Sequence, residues 1–117
     1  MAAKIIREKI KESDIHLSAI RVALENAEVI ILSDGEEKLG TLSVSLPKDN
    51  TFAAQPLASV LLGDRNMILS RMLAERFAEE SKKITLVSLY LKTPEREAFR
   101  GVLKIADKIM KADAGKE

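Results

Sequence analysis

The side chains that could do chemistry are few, and their spacing argues against a reaction. His16 is the only histidine, and Asp14 stands two positions before it. On a strand that separation puts both on one face, a pair that can in principle move a proton. No cysteine or second histidine exists, and no serine is arranged beside the pair as a nucleophile. A structural role is the better reading of His16. Asp34, Glu36 and Glu37 place three carboxylates in one turn, and hard cations take such oxygens; a solvated hairpin tip is the commoner explanation. Gly63-Asp64 ahead of a helix faintly resembles an anion-binding turn, but one glycine is too few and Asp64 repels an anion. Neither GxxxxGK nor GxGxxG occurs. The sequence therefore supports no catalytic residue, no cofactor and no metal site, and an enzyme is not expected.

Composition narrows the partners. At 117 residues the chain fits a single domain, 1–117, ordered over about 4–111 with a frayed tail. Its 46% hydrophobic and 32% charged residues suit a packed core under a strongly solvated exterior. Lys and Arg total 19 against 18 for Asp and Glu, interspersed along the chain, so the concentrated patch that releases counterions from nucleic acid is missing. Aromatic content of 3% leaves few platforms for stacking bases. The absence of cysteine suits a reducing compartment. The N-terminal apolar run is only Ile5-Ile6 between Lys4 and Arg7, too short for a signal-peptide core or a membrane span. A cytoplasmic protein without nucleic-acid or membrane partners is expected.

Periodicity supplies the elements. Residues Ile5 to Ser13, IIREKIKES, read as a charged edge strand or a short helix, the strand being favoured because edge charges block unwanted pairing. Ile15 to Glu25 is apolar on both faces, as in an inner strand, and Glu28 to Ser33 is rich in β-branched residues. Leu39 to Leu46, LGTLSVSL, alternates strictly, with Leu42, Val44 and Leu46 on one face and Thr41, Ser43 and Ser45 on the other. The hydroxyl face is either solvent-exposed or the place where a helix or second subunit approaches closely. Pro47 to Pro56 is the longest irregular stretch, and Phe52 in it either caps a core edge or protrudes toward a partner. A strand from Leu57 to Leu62 leads through Gly63-Asp64, with Asp64 as the cap, into a helix from about Arg65 to Ser81. Leu69, Met72, Leu73, Arg76 and Phe77 form its inner stripe. Ile84 to Leu91 is apolar on both faces and expected at the sheet centre. Thr93 and Pro94 open a last helix whose buried stripe is Phe99, Val102, Leu103, Ala106, Ile109 and Met110. Gly101 inside it suggests close approach to a neighbour. The order βββββαβα indicates an α+β fold.

These elements carry a resemblance. From Ile15 to Lys111 the chain resembles the small proteasome assembly chaperones, closest to the fourth and third of that set. The residues that carry it are LGTLSVSL, the loop with Pro56, SVLLGD at Ser59 to Asp64, the helix with LAERFAEESKK, and the strand ITLVSLYL. The Lys/Glu-rich style is that of a prokaryotic, archaeal relative. The resemblance implies a six-stranded antiparallel sheet with two helices packed against it. It also implies a dimer with itself or a paralogue, and binding to proteasome α-subunits during α-ring assembly. Because the chain ends Gly115-Lys116-Glu117, without the hydrophobic-Tyr-X tail of other proteasome partners, binding is expected through the folded surface. The alternative is a dimeric interaction scaffold with an unrelated partner.

Physical reasoning nominates the surfaces. Asn50, Thr51, Phe52 and Gln55 in the long loop, with Arg71 and Glu75 on the first helix, are candidate protein contacts. Thr41, Ser43 and Ser45 are candidate dimer-interface residues. More strand faces are apolar than two helices can cover, so the sheets of two subunits are expected to pair.

Overall fold

The computed structural model describes residues 3–47 and 57–114. Six strands run β1 (Lys4–Glu12), β2 (Ile15–Ala23), β3 (Ala27–Asp34), β4 (Thr41–Leu46), β5 (Leu57–Leu62) and β6 (Ile84–Tyr90). Helix α1 (Met67–Ser81) joins β5 to β6, and α2 (Glu95–Ala114) follows β6. The order is thus βββββαβα, as the periodicity predicts, and the strands form one sheet in the order β1-β2-β3-β6-β4-β5.

The sheet is mixed, not wholly antiparallel. Strands β3 and β6 are parallel, while every other neighbouring pair is antiparallel. The cause lies in the connection after β3: the chain passes over one strand position before laying down β4. That slot is filled later by β6, which returns through α1, the helical crossover that parallel pairing requires. At the other end, Ser13 and Asp14 adopt φ of 50° and 67°, the left-handed pair that matches a two-residue hairpin turn to strand twist. Asp14 therefore belongs to the turn and not to the face of a strand shared with His16.

Both helices lie on the same side of the sheet, α1 over β4, β6 and β5, and α2 over β1 and β2. Leu69, Leu73 and Phe77 of α1 meet Val87 and Leu89, and Val102, Ile105 and Ile109 of α2 complete the core with Ile6, Leu17, Ile30 and Leu32. The inner stripes are rotated slightly from the predicted ones. In α1 the core side passes through Ser70, Ala74 and Ala78, leaving Met72 and Arg76 exposed; in α2, Ala98 and Ile105 are buried and Phe99 is exposed. Gly101 has the expected reason: a Cβ there would lie 2.7 Å from Leu17 Cδ1 and 3.3 Å from Glu12 Cβ.

The helix starts differ from expectation. Asn66, not Asp64, stands at the N-cap of α1, in left-handed conformation and without a side-chain cap bond. For α2, the carbonyl of Pro94 accepts the Glu97 N–H at 3.0 Å, so the helix begins just after the proline. Thr93 serves instead as a tie, its N–H donating to Asp34 Oδ2 at 2.9 Å.

Candidate protein-interaction surfaces

The helix-covered face is partly polar, and in its hydroxyl row Thr41 and Ser43 find partners at or just ahead of α1, while the buried Ser45 Oγ finds none. Register places Thr41, Ser43 and Ser45 of β4 opposite Leu89, Val87 and Thr85 of β6, all on the side facing the helices. Ser43 Oγ lies 2.7 Å from Ser70 Oγ of α1, and the Ser70 hydroxyl donates to the Thr41 carbonyl at 3.3 Å. The Thr41 hydroxyl donates to the Arg65 carbonyl ahead of the helix. The hydroxyl row is therefore buried beneath α1 of its own chain. This corrects the assignment of Thr41, Ser43 and Ser45 to a dimer interface: the small side chains admit a helix, and no second subunit can reach them while α1 is docked.

Further along that face lies a buried ionic network. Arg21 and Glu28 each have side chains 1% exposed and meet diagonally across the β2–β3 pair, Arg21 standing opposite Ile30 and Glu28 opposite Ala23, with Arg21 Nε donating to Glu28 Oε1 at 2.7 Å. Arg21 Nη2 also reaches Glu80 Oε1 of α1 at 2.9 Å, and Thr85 Oγ1 donates to Glu28 Oε2 at 3.1 Å. The Phe77 ring centroid is 5.4 Å from the guanidinium carbon. Burial alone would lower the pKa of Arg21, but Glu28 and Glu80 outweigh it and hold the guanidinium above its ordinary value. The network thus pins α1 to the sheet as a fixed charge.

The opposite face carries no helix among the described residues. The register brings Val22, Val29, Leu86 and Val44 into one row across four strands, and Ile20 and Ile31 into the next, with Leu42 beyond. These are aliphatic residues on a face that nothing in the described chain covers over its middle. Toward one end the loop after β3 folds over it: Ser33 Oγ bonds both the N–H and the carbonyl of Lys38, and Ser88 Oγ accepts the Gly40 N–H at 2.8 Å. The β1 margin of this face carries Arg7, Lys9 and Lys11.

The other sequence-predicted residues are scattered. Asn50, Thr51, Phe52 and Gln55 lie outside the described residues. Arg71 is exposed and Glu75 half-buried on α1, and Arg71 has no side-chain partner among the described residues. Of the three carboxylates near the β3 turn, Asp34 is buried and accepts from Thr93, while Glu37 lies 3.4 Å from Arg7. They diverge, and no group of metal-binding side chains gathers among the described residues. No helix there is long and apolar enough to cross a membrane.

No family model matches the sequence, and no curated protein does. Solved structures do. A chain from the crystal structure of a novel chaperone complex for yeast 20S proteasome assembly superposes with a TM-score of 0.73. The match covers 98% of this chain and 98% of that one, at 14% sequence identity. This likeness shows the fold. At that identity it does not carry over individual contact residues.

Sequence reasoning did not name Ile20, Val22, Val29, Ile31 and Leu86 as a surface, although it counted more apolar strand faces than two helices can cover. Their signal was present in strands apolar on both sides. Arg21 and Glu28 give a weaker one, charges set inside otherwise aliphatic strands, and Glu80, on α1, meets Arg21 across 59 residues of sequence.

Proposed function

We infer that this chain is a non-enzymatic, proteasome assembly chaperone-like protein. It binds 20S proteasome α-subunits and assists α-ring assembly in the cytoplasm, as a dimer with itself or a paralogous subunit. The observation that carries this reading is the end-to-end likeness to a chain of the yeast 20S proteasome assembly chaperone complex. The open aliphatic face supports the dimer. Two such faces pack about 10 Å apart as a sandwich, leaving α1 and α2 of each subunit on the outside for the client. A transient client interface of about 1,200–2,000 Å² with a polar rim suffices, and the interspersed charges orient the client more than they tighten it.

Co-expression with proteasome α-subunits tests the reading. A complex that co-elutes on size exclusion, together with faster or more complete α-ring formation, is expected. If no complex forms and ring assembly is unchanged, the chaperone function is wrong. A different dominant partner in an unbiased pull-down would point to an interaction scaffold that shares only the fold.

A further inference from the structure

Helices α1 and α2 run side by side in the same direction and are tied at two levels. Asn66, just ahead of α1, donates from Nδ2 to Glu95 Oε1 at 2.7 Å, and further along Arg76 Nη2 donates to Asp107 Oδ1 at 2.5 Å. On α2, Glu95, Phe99, Leu103 and Asp107 follow one another four residues apart and so form one ridge. The two ends of that ridge are the bridging carboxylates, which places Phe99 and Leu103 on the seam between the helices. Met72 of α1, four residues before Arg76, borders the seam from the other side. Met72 and Phe99 are each 40% exposed and Leu103 is half-buried. The seam is therefore an apolar strip, open to solvent, between two polar ties.

We propose that this seam receives a helix of another protein, whose apolar stripe is bordered by carboxylates on the side that lies over α2. Three features select that occupant. The ridges of two adjacent helices leave a groove that a third helix fills with apolar residues at spacings of three and four; the Phe99 ring and the adaptable thioether of Met72 meet such a stripe. Arg96 and Arg100 border the strip along α2, one turn apart, and neither has an ion-pair partner among the described residues. Carboxylates four residues apart beside the stripe of the incoming helix match that spacing, and because they flank the stripe, both sets reach this surface together. The α1 border is different: Arg76 is held by Asp107, and Glu79 beyond it repels an acidic border. Of the carboxylates near the two arginines, Glu95 is tied to Asn66 and Glu97 stands on the flank of α2 away from the strip. The charges thus fix which way round the helix lies. A second copy docked through the same strip would bring Arg96 and Arg100 against each other, which like charges disfavour. The helix need not belong to a proteasome subunit, so the seam and the chaperone reading stand or fall separately.

The test uses two blocked helical peptides with the same leucine stripe, bordered along one side by glutamate in the first and by lysine in the second, titrated into the full chain by NMR. The glutamate peptide is expected to shift the amides of Met72, Arg76 and Arg96 to Leu103, and to bind at least tenfold tighter than the lysine peptide. Phe99→Asp should weaken it at least tenfold, and Arg96→Glu with Arg100→Glu should invert the order of the two peptides. All three side chains are exposed, so unchanged melting of the variants verifies that the fold is intact. A glutamate peptide broken by two central prolines should not bind, since the stripe exists only on a helix. Equal binding of the glutamate and lysine peptides, no binding of either, or undiminished binding of the proline peptide would overturn the proposal. So would shifts centred on Val22, Val29 and Leu86, which would place the peptide on the open sheet face. A concentration-dependent doubling of mass that Phe99→Asp abolishes, with the peptides ignored, would give the seam to a second copy and overturn it as well.

Discussion

Under α1 the sheet presents Arg21, Glu28, Thr41, Ser43 and Thr85, whereas its other face carries the half-buried Val22, Val29, Ile31 and Leu86 beside the buried Ile20, from the same inner strands. The face covered within the chain is the more polar of the two at this point, and the uncovered one is aliphatic. A polar group can be buried when named atoms satisfy it, and α1 brings them: Ser70 for Ser43, and Glu80 for Arg21. An aliphatic surface can be satisfied only by being covered, and α1 and α2 both stand on the other side. The contrast separates what this chain covers with its own helices from what they leave open among the described residues.

The sharpest way to break the covered side is to orphan its buried charge. Glu28→Ala takes from the guanidinium of Arg21 its fully buried carboxylate partner, and removal of one member of a buried pair costs about 3–5 kcal/mol. Urea unfolding should show that loss. The double variant Arg21→Met with Glu28→Leu should recover most of it, because apolar residues of similar volume often replace a buried pair without penalty. If the double variant is as unstable as the single one, the network contributes more than a satisfied charge, and α1 depends on it for its position.

On the open side the corresponding test is a charge at its centre. Val29 is flanked by Val22 and Leu86 in register, so Val29→Lys puts an ammonium where the proposed dimer is driest. Dimer dissociation should strengthen at least about a hundredfold, roughly 2.7 kcal/mol. Sedimentation at micromolar concentration should turn from dimer to monomer, while the dilute monomer unfolds as the parent does, since the substituted face is solvated there. A parent protein that sediments as a monomer would remove the sandwich altogether, and a variant that remains dimeric would move the interface off this face.

Much of this contrast can be read in the sequence, but not its direction. LGTLSVSL announces a strand and two unlike faces; period two assigns neither face to the helix. The ordinary expectation sends Leu42, Val44 and Leu46 inward, and the hydroxyls go inward instead because α1 offers Ser70 at contact distance. The central place of β6 follows from its apolar residues on both faces, yet its parallel pairing with β3 is invisible locally: it depends on the strand position skipped after Asp34. Gly101 signals its close contact because no other residue type would leave the space. Arg21 and Glu80 give no local sign of each other, since their contact exists only once α1 has crossed the sheet.

The smallest expected effect is also the most discriminating about how α1 is seated. Ser70 has two partners, the Ser43 hydroxyl and the Thr41 carbonyl, whereas Ser43 has Ser70 as its side-chain partner among the described residues. Ser43→Ala therefore leaves Ser70 a remaining acceptor and should cost about 1 kcal/mol or less, the net worth of one hydrogen bond. Ser70→Ala strands a buried hydroxyl on β4 and should cost more, about 1–3 kcal/mol. The double variant, with no hydroxyl left to satisfy at that contact, should lose less than the two single losses combined. Equal costs for the two single variants would mean that the Thr41 carbonyl is not an effective second acceptor for Ser70, so that either substitution strands the remaining hydroxyl.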